Sequence, residues 1–165
     1  MERNDRMKEV TILNEQEIFP IAVDLFESLG HTLMDRYLEL NTFQLGVHLV
    51  TVDRMAEVNW DYLKHKGPTD VITFDHSEME ISDEEADLYG ELFICPEIAR
   101  TQAMEFSTTW QSEIVRYLAH GILHLIGFND GTTEEKDTMK LRENHLVEQL
   151  AAEFNFQNLD LSQPS

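Results

Sequence analysis

The chain has 165 residues, 42% hydrophobic and 27% charged, which fits one ordinary domain with a single core. Its 12 basic residues stand against 32 acidic ones, a net charge of −20. A field of that sign repels nucleic acid and anionic membrane, and it argues against a broad, nonspecific grip on a phosphate backbone. One cysteine, Cys95, rules out an intrachain disulfide, and no apolar run reaches the roughly 20 residues that a bilayer demands.

In chain order, Lys8 to Leu13 (KEVTIL) reads as a short strand. Ile18, Ala22, Leu25, Phe26 and Leu29 then recur at helical spacing, with Pro20 as a helix start and Gly30 as punctuation. Thr32 to Glu39 can extend that helix. Phe43 to Val50 alternates as a strand does, and Asp53 to Leu63 has helical spacing. Gly67-Pro68 marks a turn before the strand Asp70 to Phe74. The acidic stretch HSEMEISDEEADLYG reads as a solvated loop, and ELFICP after it as a strand that pairs with DVITF in a long-looped hairpin. Three helices follow, from Pro96 to about Phe106, Thr109 to His124, and about Thr133 to Phe154. The order β, α, β, α, β, β, α, α, α predicts an α+β fold, with one mixed sheet of about four strands packed by helices. Residues 1–155 are expected to form a single catalytic domain and 156–165 a flexible C-terminal tail. The opening MERNDRMKEV lacks the apolar core of a secretory signal, so a cytoplasmic location away from membranes is expected.

Chemistry concentrates in His120 to Asp130, HGILHLIGFND. Residues four apart share one helix face, so His120 and His124 can reach a single ion from the end of this apolar helix. Gly127 sits where a helix can end in a left-handed turn, and a reversal there returns Asp130 toward the two imidazoles. Three protein ligands with an open position is the pattern of a catalytic zinc site. A bland origin is also open, since histidines on apolar faces often serve only packing. Cys95 reads as a buried small hydrophobe, and His31, His48, His76 and His145 have no partner at motif spacing. The zinc proteases that read H-E-x-x-H-x-x-G-x-x-H share this spacing, but Gly121 stands where they carry the glutamate that activates water.

HGILHLIGFND resembles the pattern H-G-x-L-H-L-x-G-Y-D-H of the YbeY family of rRNA maturation endoribonucleases. VNWDYLKHKGPTDVITF resembles the family's L-N-x-x-Y-R-x-K-D-x-P-T-D-V-L-S-F. GELFIC, with Ala99, Gln102 and Ala103 after it, resembles its G-D-I-x-I strand and the helix that follows. EEKDTMKLRE, residues 134–143, resembles the helix beyond the metal motif, so the likeness runs from about residue 43 to 145. The departures are Asp130 for the third histidine, Asn129 for the aspartate before it, Phe128 for tyrosine, and Leu63 for the arginine. His65-Lys66 replaces a Lys-Asp pair, and Gly90-Glu91 replaces Gly-Asp.

The resemblance implies a metal-dependent hydrolase that cuts single-stranded RNA, in maturation of the small-subunit rRNA 3′ end and in ribosome quality control. It implies one Zn2+ per chain, held by the catalytic group His120, His124 and Asp130. Two histidines and a carboxylate also suit Fe2+ or another divalent transition metal. Asn59, Lys64, His65, Lys66 and Asp70 are candidate substrate contacts; Lys64 and Lys66 read equally well as solvated loop charges, and Thr69 as a turn residue. The implied partners are rRNA and the ribosome, with a ribosomal protein or a ribosome-assembly GTPase as a bearer of specificity, and no DNA. Two alternatives stand beside this reading: a zinc metalloprotease-like hydrolase, and a catalytically weak, metal-containing ribosome-assembly factor.

Overall fold

The computed structural model describes residues 7–63, 71–77 and 86–162. Within them lie four strands, β1 (Lys8–Asn14), β2 (Phe43–Leu49), β3 (Val71–Asp75) and β4 (Leu88–Ile94). Five α-helices accompany them: α1 (Val23–Thr32), α2 (Val52–Val58), α3 (Pro96–Phe106), α4 (Trp110–Leu125) and α5 (Thr133–Glu153). The strands form one mixed sheet in the order β1-β2-β4-β3. β1 runs parallel to β2 and β2 to β4, with Val47 opposite Leu92, while β3 pairs antiparallel to β4, with Ile72 opposite Phe93. This is the expected α+β architecture, and the last pairing is the expected long-looped hairpin.

Alternation along the strands decides what each sheet face meets. Phe43, Leu45, Val47 and Leu49 of β2, with Leu88, Leu92 and Ile94 of β4, enter the main core alongside residues of α1 and α4. Phe93 and Ile72 point the other way, into a smaller core with Val50, Met55, Val58 and Cys95. Cys95 is therefore a packing residue, and burial pushes its thiol pKa up. Helix α4 is the centre of the molecule. It touches β3 and β4 on one side and α3 and α5 on others, and it buries Ile114, Val115, Leu118, Ile122 and Leu123 completely. At about 1.5–3 kcal/mol for each fully buried aliphatic side chain, that packing fixes its position firmly.

Four expectations are corrected. The first helix begins at Val23 rather than at Pro20, because Ile21 is held extended by a bridge to Asp160. Its amide neighbours join the same clamp: Ala22 N donates to Leu159 O at 2.9 Å, and Leu161 N to Pro20 O at 2.8 Å. The segment expected to be a flexible tail supplies those partners. Phe156–Leu159 form a 3-10 helix with Leu159 fully buried. Gly30 does not end its helix; it lies buried inside α1 beside Val10 and Leu118, and a π-helical turn (Leu33–Tyr37) follows directly. Strand β4 begins at Leu88 rather than Glu91, because Leu88 is a core residue and pairs with Phe43. The Gly67-Pro68 turn lies outside the described residues. No helix among the described residues is long and apolar enough to cross a membrane.

Candidate metal centre

The site is built at the C-terminal end of α4. Thr109 caps the other end, its hydroxyl accepting from Ser112 N at 3.1 Å, which fixes the helix phase. His120 and His124 consequently emerge on one face, their rings edge to face with centroids 4.7 Å apart. The helix ends on a Schellman turn: Phe128 N donates to Leu123 O at 3.0 Å and Gly127 N to His124 O at 3.1 Å. Gly127 has φ +112°, a conformation that side-chain-bearing residues resist. The reversed chain carries Asp130 to within 3.5 Å of His124, measured from Oδ2 to Nε2. One ligand atom from each of His120, His124 and Asp130 lies within 4.8 Å of the others. Among the described residues this is the one such group of histidine, cysteine or carboxylate side chains.

Each imidazole is held from behind. His124 Nδ1 meets the carbonyl oxygen of Phe128 at 3.0 Å. A carbonyl only accepts, so Nδ1 carries a proton, and in the neutral ring Nε2 keeps its lone pair. His120 Nδ1 donates in the same way to Oε1 of Glu143 at 2.7 Å. Glu143 comes from α5, and its side chain is 5% exposed. Its second oxygen accepts from Arg116 Nη1 at 2.7 Å, and Arg116 also donates to Asn144 Oδ1 at 2.6 Å. Burial pushes the Glu143 carboxyl pKa up, but the hydrogen bonds from His120 and Arg116 outweigh it and hold the group below the usual carboxylate range. With both rings neutral, His120, His124 and the Asp130 carboxylate bring three acceptor atoms within 4.8 Å of one another. A cation resolves that arrangement, and the donor set of two imidazole nitrogens and one carboxylate oxygen suits zinc or ferrous iron. Imidazoles oriented by a carboxylate or a backbone carbonyl are the usual support of such ligands.

Gly121 points away from this group, onto the sheet. A Cβ there would stand 2.6 Å from Cδ2 of Leu92, which is itself fully buried. The position that carries the glutamate in zinc proteases is thus occupied by sheet packing.

An open cleft of about 510 Å³ adjoins the centre. His120, Asp130 and Glu143 sit in its wall, with Phe106 from α3 and Lys136 and Lys140 from α5. α5 is placed by a capping box: Glu135 N donates to Thr132 Oγ1 and Thr132 N to Glu135 Oε1, both at 3.1 Å.

Of the residues singled out from the sequence, His120, His124 and Asp130 are brought together. Asn59 is buried, 2% exposed, where α2 passes into a π-helical turn (Asn59–Leu63), and it does not line the cleft. Lys64, His65, Lys66, Thr69 and Asp70 lie outside the described residues. Glu143 and Arg116 were not singled out as site residues. The only sequence signal for Glu143 is the closing glutamate of EEKDTMKLRE. His48 and His76 find a partner on the far side of the sheet, where Glu91 accepts from His48 Nε2 at 2.6 Å and from His76 Nε2 at 2.8 Å.

The fold and this centre define a small α+β protein with an open His-His-Asp group supported by a buried carboxylate. Residues 11–151 match the family model described as Endoribonuclease YbeY, and the chain belongs to that family. An endoribonuclease YbeY of Thermotoga petrophila is 34% identical over 127 residues, 77% of this chain and 78% of the relative. That of Thermotoga maritima is 32% identical over 157 residues, 94% of this chain and 97% of the relative. The solution structure of a Thermotoga maritima protein superposes with a TM-score of 0.59 at 28% identity, covering 94% of this chain and all of that one.

Proposed function

We propose that this chain is a metal-dependent endoribonuclease that hydrolyses phosphodiester bonds in single-stranded RNA. On this reading it acts in the cytoplasm, in maturation of the small-subunit rRNA 3′ end and in ribosome quality control. Its partners are rRNA and the ribosome, with a ribosomal protein or assembly GTPase supplying specificity. Family membership supports the class of reaction. The observation that carries the metal is the pair of histidines whose Nδ1 atoms are committed to Phe128 O and Glu143, with His124 Nε2 3.5 Å from Asp130 and one ligand atom of each of the three residues within 4.8 Å of the others.

His120, His124 and Asp130 would hold one divalent ion. When bound, the ion supplies Lewis acidity, which activates water and offsets charge developing on the phosphate oxygens. The chain's residues do the rest. Glu143 and the Phe128 carbonyl fix the imidazole planes and keep each Nδ1 proton in place. Arg116, anchored between Glu143 and Asn144, sets a guanidinium in the cleft wall near an incoming phosphate. Asp130, 51% exposed, keeps the outer side of the group open to solvent and substrate.

The test is a single-stranded RNA oligonucleotide assay beside metal analysis of the same preparations, for wild type, His124→Ala and Asp130→Ala. About one equivalent of metal and cleavage are expected in wild type, with both lost in His124→Ala. Equal residual cleavage by wild type and His124→Ala would assign the activity to a contaminant and overturn the reading. Leu63, in place of the family's arginine, and the −20 charge favour a second reading, an assembly factor of weak catalytic power. Full metal content without RNA cleavage in wild type is its signature.

A further inference from the structure

The cleft beside the metal centre has a chemical character of its own. Lys8, Arg36, Arg54 and Arg116 are all committed to carboxylates. Lys136 and Lys140 are exposed and form no ion pair among the described residues, although the chain carries 32 acidic residues, and both line the cleft. They stand one turn apart on the same face of α5, about 5–6 Å from Cβ to Cβ. The wall of the same cleft includes Phe106, the last residue of α3. It is 61% exposed. The next residue, Ser107, is left-handed at φ 59°, so the helix stops with this ring at the cleft edge. An aromatic face, two uncommitted ammonium groups and a group suited to a metal thus share one cavity.

We propose that this cleft seats a single RNA strand, with a base stacked on Phe106 and the phosphates beside it held by Lys136 and Lys140. The inference rests on the endoribonuclease reading above and adds to it the side chains that grip the substrate. It also accounts for a single-strand preference. A base reaches an aromatic face only when it is free of its own stack, and backbone cations beside an aromatic platform are how proteins hold single strands. The local pair of lysines supplies attraction where the net field of the chain supplies repulsion.

The test is binding of a single-stranded 2′-O-methyl RNA oligonucleotide, which resists cleavage, followed by fluorescence anisotropy across a range of potassium chloride concentrations. A duplex of the same sequence is the comparison. Wild type is expected to bind the single strand more tightly. The double variant Lys136→Ala/Lys140→Ala should flatten the dependence of log K on log salt by about 0.7 per lysine. Phe106→Ala should weaken binding about tenfold at unchanged salt slope, and Phe106→Trp should retain it. All three positions are exposed, so unchanged thermal melts are expected, and a purely structural role would not move the salt slope. If wild type binds and cleaves RNA while these variants match it in affinity and slope, this inference fails and the endoribonuclease reading stands. If wild type neither binds nor cleaves RNA, both fall.

Discussion

Glu143 uses one carboxylate for two tasks. One oxygen accepts the Nδ1 proton of His120 and the other accepts from Arg116. Its depressed pKa keeps it ionised at neutral pH, so both bonds are charge-assisted. Glu143→Gln preserves the shape and removes the charge. Metal affinity is expected to fall 10–100-fold, read by competition against a chromogenic chelator; an unchanged affinity would show that the imidazole holds its orientation unaided. Glu143 also marks the limit of what could be read from residues alone. His120 and His124 are neighbours by helix geometry and Asp130 by one turn, so local spacing names them. Glu143 is 23 residues beyond His120 on another helix, and it joins the site only because α5 packs on α4. Arg116 lies on α4 itself, one turn before His120, and its part shows only once Glu143 of α5 is beside it.

The unit that makes the centre is α4, the turn after it, and the start of α5. Gly127 carries the reversal, with φ +112° and open space around it, so the constraint there is conformational. Gly127→Ala is expected to cost about 1–2 kcal/mol, seen as a lower urea midpoint at unchanged slope. The same variant should bind metal less tightly, because Phe128 O and Asp130 both follow the turn. An unshifted midpoint would mean that the turn tolerates a side chain. Gly127 was legible in the sequence because a glycine after an apolar helical run has one dominant use. Gly30 was misread by the same rule, since a glycine buried within a continuing helix looks identical in sequence. The β4 start was hidden for a related reason. Leu88 follows an acidic stretch, and its partner Phe43 lies far away along the chain.

At the scale of the whole molecule, the segment after α5 closes back on the segment before α1. Leu159 is fully buried in the main core, and the bridge between Ile21 and Asp160 ties the C-terminal segment to the approach of α1. Leu159→Ala is expected to cost about 2–5 kcal/mol. At about 2–4 °C per kcal/mol for a chain of this size, that lowers the melting temperature by at least ~4 °C. A melt identical to wild type would return the segment to the status of a tail. Composition and polarity could not reveal this contact, because NLDLSQPS sets Leu159 among mostly polar residues and its partners, Pro20 to Ala22, lie far away along the chain. The sheet also bears on which reactions are within reach. With Leu92 2.6 Å from where a Cβ of residue 121 would stand, a glutamate acquired there would enter the dry layer between α4 and β4. An unpaired charge is expensive in such a layer. A single substitution therefore does not lead from this chain to the zinc proteases whose histidine spacing it shares: the evolutionary path between the two chemistries requires the helix first to lift or turn against its sheet.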